Sequence, residues 1–446
     1  MTTTVNRSKR FNPSGMLCGL LLGLAASAQG GEFIVGAGTH LLNRTGDVAP
    51  AMAMAQQAGI ASLRDDAWWS SMELQPGVLH TPAEWRKYLA EQQRLGLGNV
   101  LILGYGNQFY NRDAKPIAQT VRNGFARYVD EVTQRLKGQV DYWEIYNEWD
   151  IAKPRLAGDA DSRAYLKLVH DTAPQVRKND PKALLLAGAV TTDGIEKGFA
   201  ERLVQGGVMN MVDGLSLHPY VHCAKAGGGN TPEHWAGWLR DLSQQFDRLA
   251  GREVPLYLTE MGWHSTGDRH PCGIASNTQA AFLARSFLLA KTVPAIKGMW
   301  WYDLVNDGDD PADPEHNFGL VRQNLSPKPA YAVLKALSPL LRQGVFESQA
   351  TGADNSYQLL FSLGGEQQLA AWAPGRTRAV TIHAGGPLDG PVRLLDTRHP
   401  EAGSVDSDSH WQCQGEQCSA QLALGEFPLL INLGKARWLP PTAAQE

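Results

Sequence analysis

The chain has 446 residues, 43% of them hydrophobic and 19% charged, ordinary proportions that exclude wholesale disorder and predict a packed core. The formal charge is −4, and no Lys/Arg run beyond the first residues offers the clustered cations that phosphate binding needs. Neither nucleic acid nor a nucleotide is expected as a partner, and a neutral or weakly charged substrate suits this balance. The length exceeds one small core, so one large domain and a smaller one are expected.

The start reads as an export signal. Arg7, Lys9 and Arg10 precede an apolar stretch from Met16 to Ala26, and Ala26-Ser27-Ala28 forms an A-x-A cleavage site. The run is shorter than the roughly 18–20 apolar residues of a membrane span, so cleavage after Ala28 is favoured over an uncleaved anchor. Losing those three basic residues and no acidic one takes the charge from −4 to −7. Cys18 opens the apolar run, the wrong place for lipidation. Cys223, Cys272, Cys413 and Cys418 remain, an even number that suits disulfides in an exported protein. Three connectivities are open, with Cys223 to Cys272 and Cys413 to Cys418 favoured.

From residue 33 to about 342, strand-like runs alternate with helix-like stretches, as in βα units around a parallel sheet. The predicted strands are Phe33–Thr39, Ala61–Asp65, Asn99–Leu103, Tyr142–Tyr146, Ala183–Gly188, Gly214–Leu217, Pro255–Thr259 and Gly298–Tyr302. Between them, Thr81-Pro82-Ala83-Glu84 offers a helix start with a capping glutamate and Leu95-Gly96 a stop. Thr231-Pro232-Glu233 opens another helix, and Asn179-Asp180-Pro181 closes one. This is an α/β protein, a (β/α)8 TIM barrel over residues 29–342. Beyond Leu341 the helical period fades, and short alternating runs at Gln358–Phe361, Leu369–Trp372, Ala379–His383, Val392–Leu395 and Leu429–Leu433 predict a small β-sandwich over 343–446. Covering barrel surface is its expected role, ahead of independent sugar binding.

Two of the predicted strands end in a glutamate: Tyr142-Trp143-Glu144-Ile145-Tyr146-Asn147-Glu148 and Pro255-Leu256-Tyr257-Leu258-Thr259-Glu260. Parallel barrel strands deliver both carboxyls to the C-terminal face, where barrel enzymes do their chemistry. Acetal hydrolysis needs such a pair, an acid for the leaving oxygen and a carboxylate for the anomeric carbon. Asn147 is placed to donate to a sugar hydroxyl. Arg64, late in the second strand, needs a carboxylate partner if buried, either Glu260, whose pKa it would lower, or Asp65 or Asp66. His218-Pro219-Tyr220 ends the sixth strand and can orient Glu260 or touch substrate, with a satisfied core histidine as the alternative for His218. Two or three of the rings Trp68, Trp69, Trp149, Trp300, Trp301 and Tyr302 are expected against a sugar face, with Trp69, Trp149, Trp300 and Trp301 singled out. The acidic loop 306–313 lacks an EF-hand pattern and reads as a solvated loop rather than a calcium site. No dinucleotide fingerprint, P-loop or HExxH motif is present, so neither a cofactor nor a metal is expected.

In order and spacing, Arg64, Asn147-Glu148, His218-Pro219-Tyr220, Glu260 and Trp300-Trp301 resemble the clan A glycoside hydrolases, and most closely family 39. The stretches Tyr142 to Asp150, Leu256 to Trp263, His316-Asn317-Phe318-Gly319-Leu320 and Lys328-Pro329-Ala330-Tyr331 carry that resemblance across nearly the whole barrel. The resemblance implies a retaining double displacement, with Glu148 as acid/base and Glu260 as nucleophile. It also implies that Asn147 contacts the reacting sugar and that Arg64 and Tyr220 hold Glu260. The expected protein is a monomeric, exported hydrolase, periplasmic or extracellular, endo-acting on a bacterial exopolysaccharide. An exo-acting xylosidase-like enzyme is the second reading, and a catalytically silent polysaccharide-binding or assembly subunit the alternative of another class.

Overall fold

The structure, a computed structural model, describes residues 33–386, 388, 392–406 and 411–441. The export signal read at residues 1–28 lies outside them. Among the described residues, eight parallel strands close in sequence order into a barrel: β1 (Ile34–Gly38), β2 (Ser62–Trp68), β3 (Gly98–Gly104), β4 (Tyr142–Ile145), β5 (Leu184–Thr191), β6 (Gly214–His218), β7 (Leu256–Met261) and β8 (Ile296–Trp301). β8 pairs back onto β1, with Gly36 opposite Trp300. Each predicted run is a strand. β2 continues to Trp68 rather than ending at Asp65, and β5 reaches Thr191 by absorbing a bulge between Ala187 and Val190, where Gly188 and Ala189 take φ 126 and 44.

Strand alternation sorts the side chains into layers. Val100, Leu186, Tyr257 and Trp300, with Ile34 and Tyr142 against them, fill the barrel interior as a floor. Leu63, Leu101, Trp143, Leu258 and Trp301 belong to the larger core that includes the helices. Room for the Trp300 indole exists because β1 has glycine opposite it: a Cβ on Gly36 would lie 2.2 Å from the ring.

The helix Ala83–Leu95 stops at Gly96, whose φ of 66 is the left-handed conformation glycine tolerates. Its start differs from the expected capping box. Pro82 is the cap residue and no side chain caps the helix. At Pro232–Ala250, by contrast, the Thr231 hydroxyl accepts from the His234 N–H, and the helix Asp159–Asn179 ends at Asp180. No helix among the described residues is long and apolar enough to cross a membrane.

The helix Pro329–Gln343 leads, among the described residues, into ten short strands: β9 (Val345–Thr351), β10 (Tyr357–Leu363), β11 (Glu366–Trp372), β12 (Arg378–Gly385), β13 (Arg393–Asp396), β14 (Val405–Asp406), β15 (Trp411–Gln414), β16 (Gln417–Leu424), β17 (Leu429–Gly434) and β18 (Arg437–Leu439). They form two antiparallel sheets, ordered β14-β13-β17-β11-β10-β9 and β15-β16-β12-β18. Leu369, Ile431, Ile382 and Leu422 pack between the sheets. On the other face of the larger sheet, Leu359, Phe361, Trp372 and Leu430 join the barrel's core. Disulfides link Cys223 to Cys272 and Cys413 to Cys418, the favoured pairing.

Candidate active site

A cleft of about 500 Å³ opens at the C-terminal ends of the barrel strands, lined among others by Arg64, Tyr105, Asn147, Glu148, His218, Tyr220, Glu260 and Tyr302. Glu148 lies past the end of β4, on a turn that Tyr146 and Glu148 enter with φ of 63 and 47. Positive φ is uncommon in residues other than glycine and is often retained at functional sites. Behind this turn the buried Trp149 is clamped, its indole N–H on Asp161 at 3.1 Å and Lys115 Nζ 4.7 Å above the ring.

Glu260 reaches the cleft through an irregularity. On β7, Tyr257 points to the barrel floor and Thr259, two residues on, bonds the interior Glu144, so strict alternation would turn Glu260 outward. The register slips between Leu258 and Met261, and such a bulge re-aims a side chain. One carboxylate oxygen of Glu260 and one of Glu148 consequently lie within 4.8 Å of each other. Their side chains remain 13% and 25% exposed, open to a ligand.

Arg64, on β2, organises the floor of the cleft. It is 4% exposed, and its guanidinium donates from Nε to Glu144 Oε2 at 2.7 Å, from Nη1 to Glu260 Oε1 at 2.5 Å and from Nη2 to Asn147 Oδ1 at 2.7 Å. Its partners are Glu260 and Glu144, not Asp65 or Asp66. Asp65 instead accepts from Thr39 and from the Leu41 and Leu42 N–H groups, fixing the turn after β1, while Asp66 accepts from the Tyr105 hydroxyl. With Asn147 Oδ1 held by Arg64, the amide nitrogen, which no described residue engages, is the end left for a sugar hydroxyl.

His218, fully buried, joins the two carboxylates: its Nδ1 is 2.9 Å from Glu148 Oε1 and 3.5 Å from Glu260 Oε2. Its Nε2 is 3.2 Å from the Thr259 hydroxyl, which donates onward to Glu144. Burial pushes the imidazole pKa down and Arg64 acts in the same sense, but the charge of Glu260 and the bond to Glu148 outweigh them and raise it. For Glu260, burial favours the neutral acid. The charges of His218 and Arg64, with hydrogen bonds from Arg64 and from Tyr220 at 3.1 Å, reverse that and hold the carboxyl below the ordinary glutamate range. Glu148, His218 and Glu260 also have a spacing that a metal ion could use. The Arg64 guanidinium against Glu260 already supplies a cation there.

Several expected contacts are corrected. Trp69, Trp149, Trp300 and Trp301 are all fully buried and none lines the cleft. Trp69 packs on Tyr110, Phe125 and Tyr128. Trp300 does point into the barrel, but one layer too deep, with its N–H on Ser62, while Trp301 packs outward on Trp263. Tyr302, two residues after Trp300 and just past the end of β8, is the ring from this segment that reaches the cleft. Arg64 and His218 line the base of the cleft but are only 4% and 0% exposed, so each acts chiefly by positioning the carboxylates. Glu144 was missed altogether; its signal was an acidic residue inside the apolar run of β4, which demanded a buried cation such as Arg64.

No protein-family model matches the chain, and no curated protein matches its sequence. Solved structures do match. A family 39 glycoside hydrolase from the gut symbiont Bacteroides cellulosilyticus WH2 superposes with a TM-score of 0.72 at 24% identity, over 90% of this chain and 81% of that one. This chain has the fold of a family 39 glycoside hydrolase. A monomeric β-xylosidase from Caulobacter crescentus CB15 follows, with TM-score 0.59, 15% identity and coverage of 92% and 96%. A family 30 subfamily 8 xylanase from Clostridium acetobutylicum also scores 0.59, at 10% identity, covering 91% and 96%. At these identities the likeness is one of fold, and function must be argued from the site.

Proposed function

We propose that this family 39-like barrel is a retaining glycoside hydrolase in which Glu148 is the acid/base and Glu260 the nucleophile. The observation that carries the reading is the approach of the two carboxylates, with oxygens within 4.8 Å on the floor of one cleft. Retaining pairs stand about 5–5.5 Å apart, whereas inverting pairs need about 6.5–9.5 Å to admit a water. Their unequal surroundings suit unequal roles. Glu260, held ionised by Arg64, Tyr220 and His218, attacks the anomeric carbon as Glu148 gives its proton to the departing oxygen. Water, deprotonated by Glu148, then displaces Glu260 from the sugar and restores both groups. A catalytically silent binding subunit has no use for a depressed carboxylate facing a second one.

The substrate is proposed to be a bacterial exopolysaccharide cut internally. With the tryptophans buried, support for endo action comes from the shape of the cleft: Tyr105 also borders a neighbouring depression lined by Arg112, Tyr146, Lys153 and Arg155, which gives room for further sugar units. Exo action on xylosides is the second reading, favoured by the name of the Caulobacter neighbour. The two disulfides support export to an oxidising compartment.

Purified protein screened against bacterial exopolysaccharides tests the substrate. Time-resolved products separate the modes: oligosaccharides first is the endo result, and single sugars from the first time point rule it out. Glu260→Gln is expected to abolish turnover on the identified substrate while leaving its binding measurable. Turnover surviving that change would remove Glu260 from the mechanism.

A further inference from the structure

At one wall of the cleft, on its opposite side from Glu148, a second group of ligating side chains comes together without a role in the chemistry above. His40 follows β1, while Asp303 and Asp307 follow β8. One ligating atom from each lies within 4.8 Å of the others, and His40 Nδ1 is 2.9 Å from Asp307 Oδ1. The three differ in how well they are satisfied. Asp307 has His40 and, at 3.7 Å, Arg44. Asp303 is only 1% exposed, and its Oδ1 is buried with no hydrogen-bond donor among the described residues. The Lys328 ammonium, which donates to the Asn317 carbonyl at 2.8 Å, attracts Asp303 by charge but makes no hydrogen bond to that oxygen. An unpaired buried carboxylate is costly unless a cation or a proton neutralises it.

We propose that His40, Asp303 and Asp307 form a binding site for a borderline divalent transition metal, Zn²⁺ or Mn²⁺. The donor set selects the class: an imidazole with two carboxylates favours these ions over Ca²⁺ and Mg²⁺, which prefer all-oxygen shells. Tetrahedral ligands at about 2.0–2.2 Å from the ion stand about 3.4 Å from one another, so small side-chain rotations that part the 2.9 Å His40–Asp307 contact and bring in Asp303 adjust the present spacing to an ion. The site differs from the acidic loop read at 306–313, which contributes only Asp307. Asp310 and Asp313 are instead engaged by the Ala312 and Glu315 N–H groups. Since His40, Tyr302 and Glu315 all line the cleft, an ion here ties the turn after β1 to the segment after β8 and stiffens that wall.

The test is metal binding, independent of any glycosidase activity. Wild-type protein is stripped with a chelator and titrated separately with Zn²⁺, Mn²⁺, Ca²⁺ and Mg²⁺, following bound metal, calorimetric affinity and melting temperature. One equivalent of Zn²⁺ or Mn²⁺, with a raised melting temperature, is expected. Asp303→Asn and His40→Gln should each lower the affinity at least about 100-fold, the upper end of what changes behind metal ligands cost. His40→Gln alters a partly exposed residue and keeps the test valid if Asp303→Asn folds poorly. No stoichiometric binding by the wild type, unchanged affinity in the His40 variant, or a response to Ca²⁺ alone would each overturn the site and leave Asp303 as a buried, protonated acid.

Discussion

Arg64 holds one carboxylate that faces the cleft and one that does not, and the distinction sets what its loss should do. Replacing it with methionine leaves Glu144 buried without a cation, at a cost of about 3–5 kcal/mol, and frees Glu260 to return toward the ordinary glutamate range. Because the native Glu260 pKa is lowered, its contribution to stability is complete above the unfolded-state value and lost as pH falls through the native one. Acid titrations of stability should therefore show a step in wild type that is missing in Glu260→Gln. The acidic limb of kcat/KM should lie below the usual glutamate pKa in wild type and move to higher pH in Arg64→Met; an unmoved limb would detach Glu260 from the rate. Glu148→Ala should slow substrates with poor leaving groups far more than activated aryl glycosides, and azide should rescue the latter. Equal losses for both classes would count against Glu148 as the acid. At this scale the sequence showed Glu148 and Glu260 because each closes an apolar strand run. It also offered Arg64, since a cation late in a buried strand needs a partner. The tryptophans misled because parity tells inside from outside without telling depth: Trp300 faces inward below the cleft, and Tyr302 is the residue at the right height.

Among the elements, β1 and β8 show how a small residue admits a large one. Gly36→Ala places a Cβ 2.2 Å from the Trp300 ring, which sits between two strands with the floor layer around it. Overpacking of this kind costs about 1–3 kcal/mol, measurable as a lowered midpoint in urea; an unchanged midpoint would mean the floor is looser than the packing shows. Most barrel strands were readable from their apolar runs, because a sheet buried on both faces selects continuous hydrophobic stretches; β2, with Arg64, Asp65 and Asp66 in succession, was readable only from its place in the alternation of strands and helices. The bulges in β5 and β7 were not, since a register slip depends on pairing with neighbours and leaves no local mark. That matters most for Glu260, which a regular strand would have pointed away from the cleft.

On the scale of the molecule, the sandwich is fastened to the barrel through Arg285, which is 1% exposed in the helix Ser276–Ala290. It lies 3.1 Å from Glu233 on the barrel and 2.5 Å from Glu426 on the sandwich, while the Trp372 indole of β11 donates to Glu233 at 2.8 Å. Arg285→Met strands Glu233 at the junction and should destabilise the protein by about 3–5 kcal/mol, read as a lower melting temperature; a wild-type melting curve would show the junction carries little. The sandwich was only partly legible. Five short apolar runs stood out, but β16, which alternates buried and exposed along Gln417–Leu424, was passed over, and β9, largely exposed along Val345–Thr351, has no such pattern and is held by pairing with β10.

The double displacement stands or falls on Glu260 becoming covalently attached to sugar. An activated 2-fluoro glycoside of the sugar released in the product screen should inactivate the wild type and add one glycosyl mass to the peptide carrying Glu260, with no adduct in Glu260→Gln. A label on another residue, or an active enzyme whose first product has inverted anomeric configuration, would contradict the assignment.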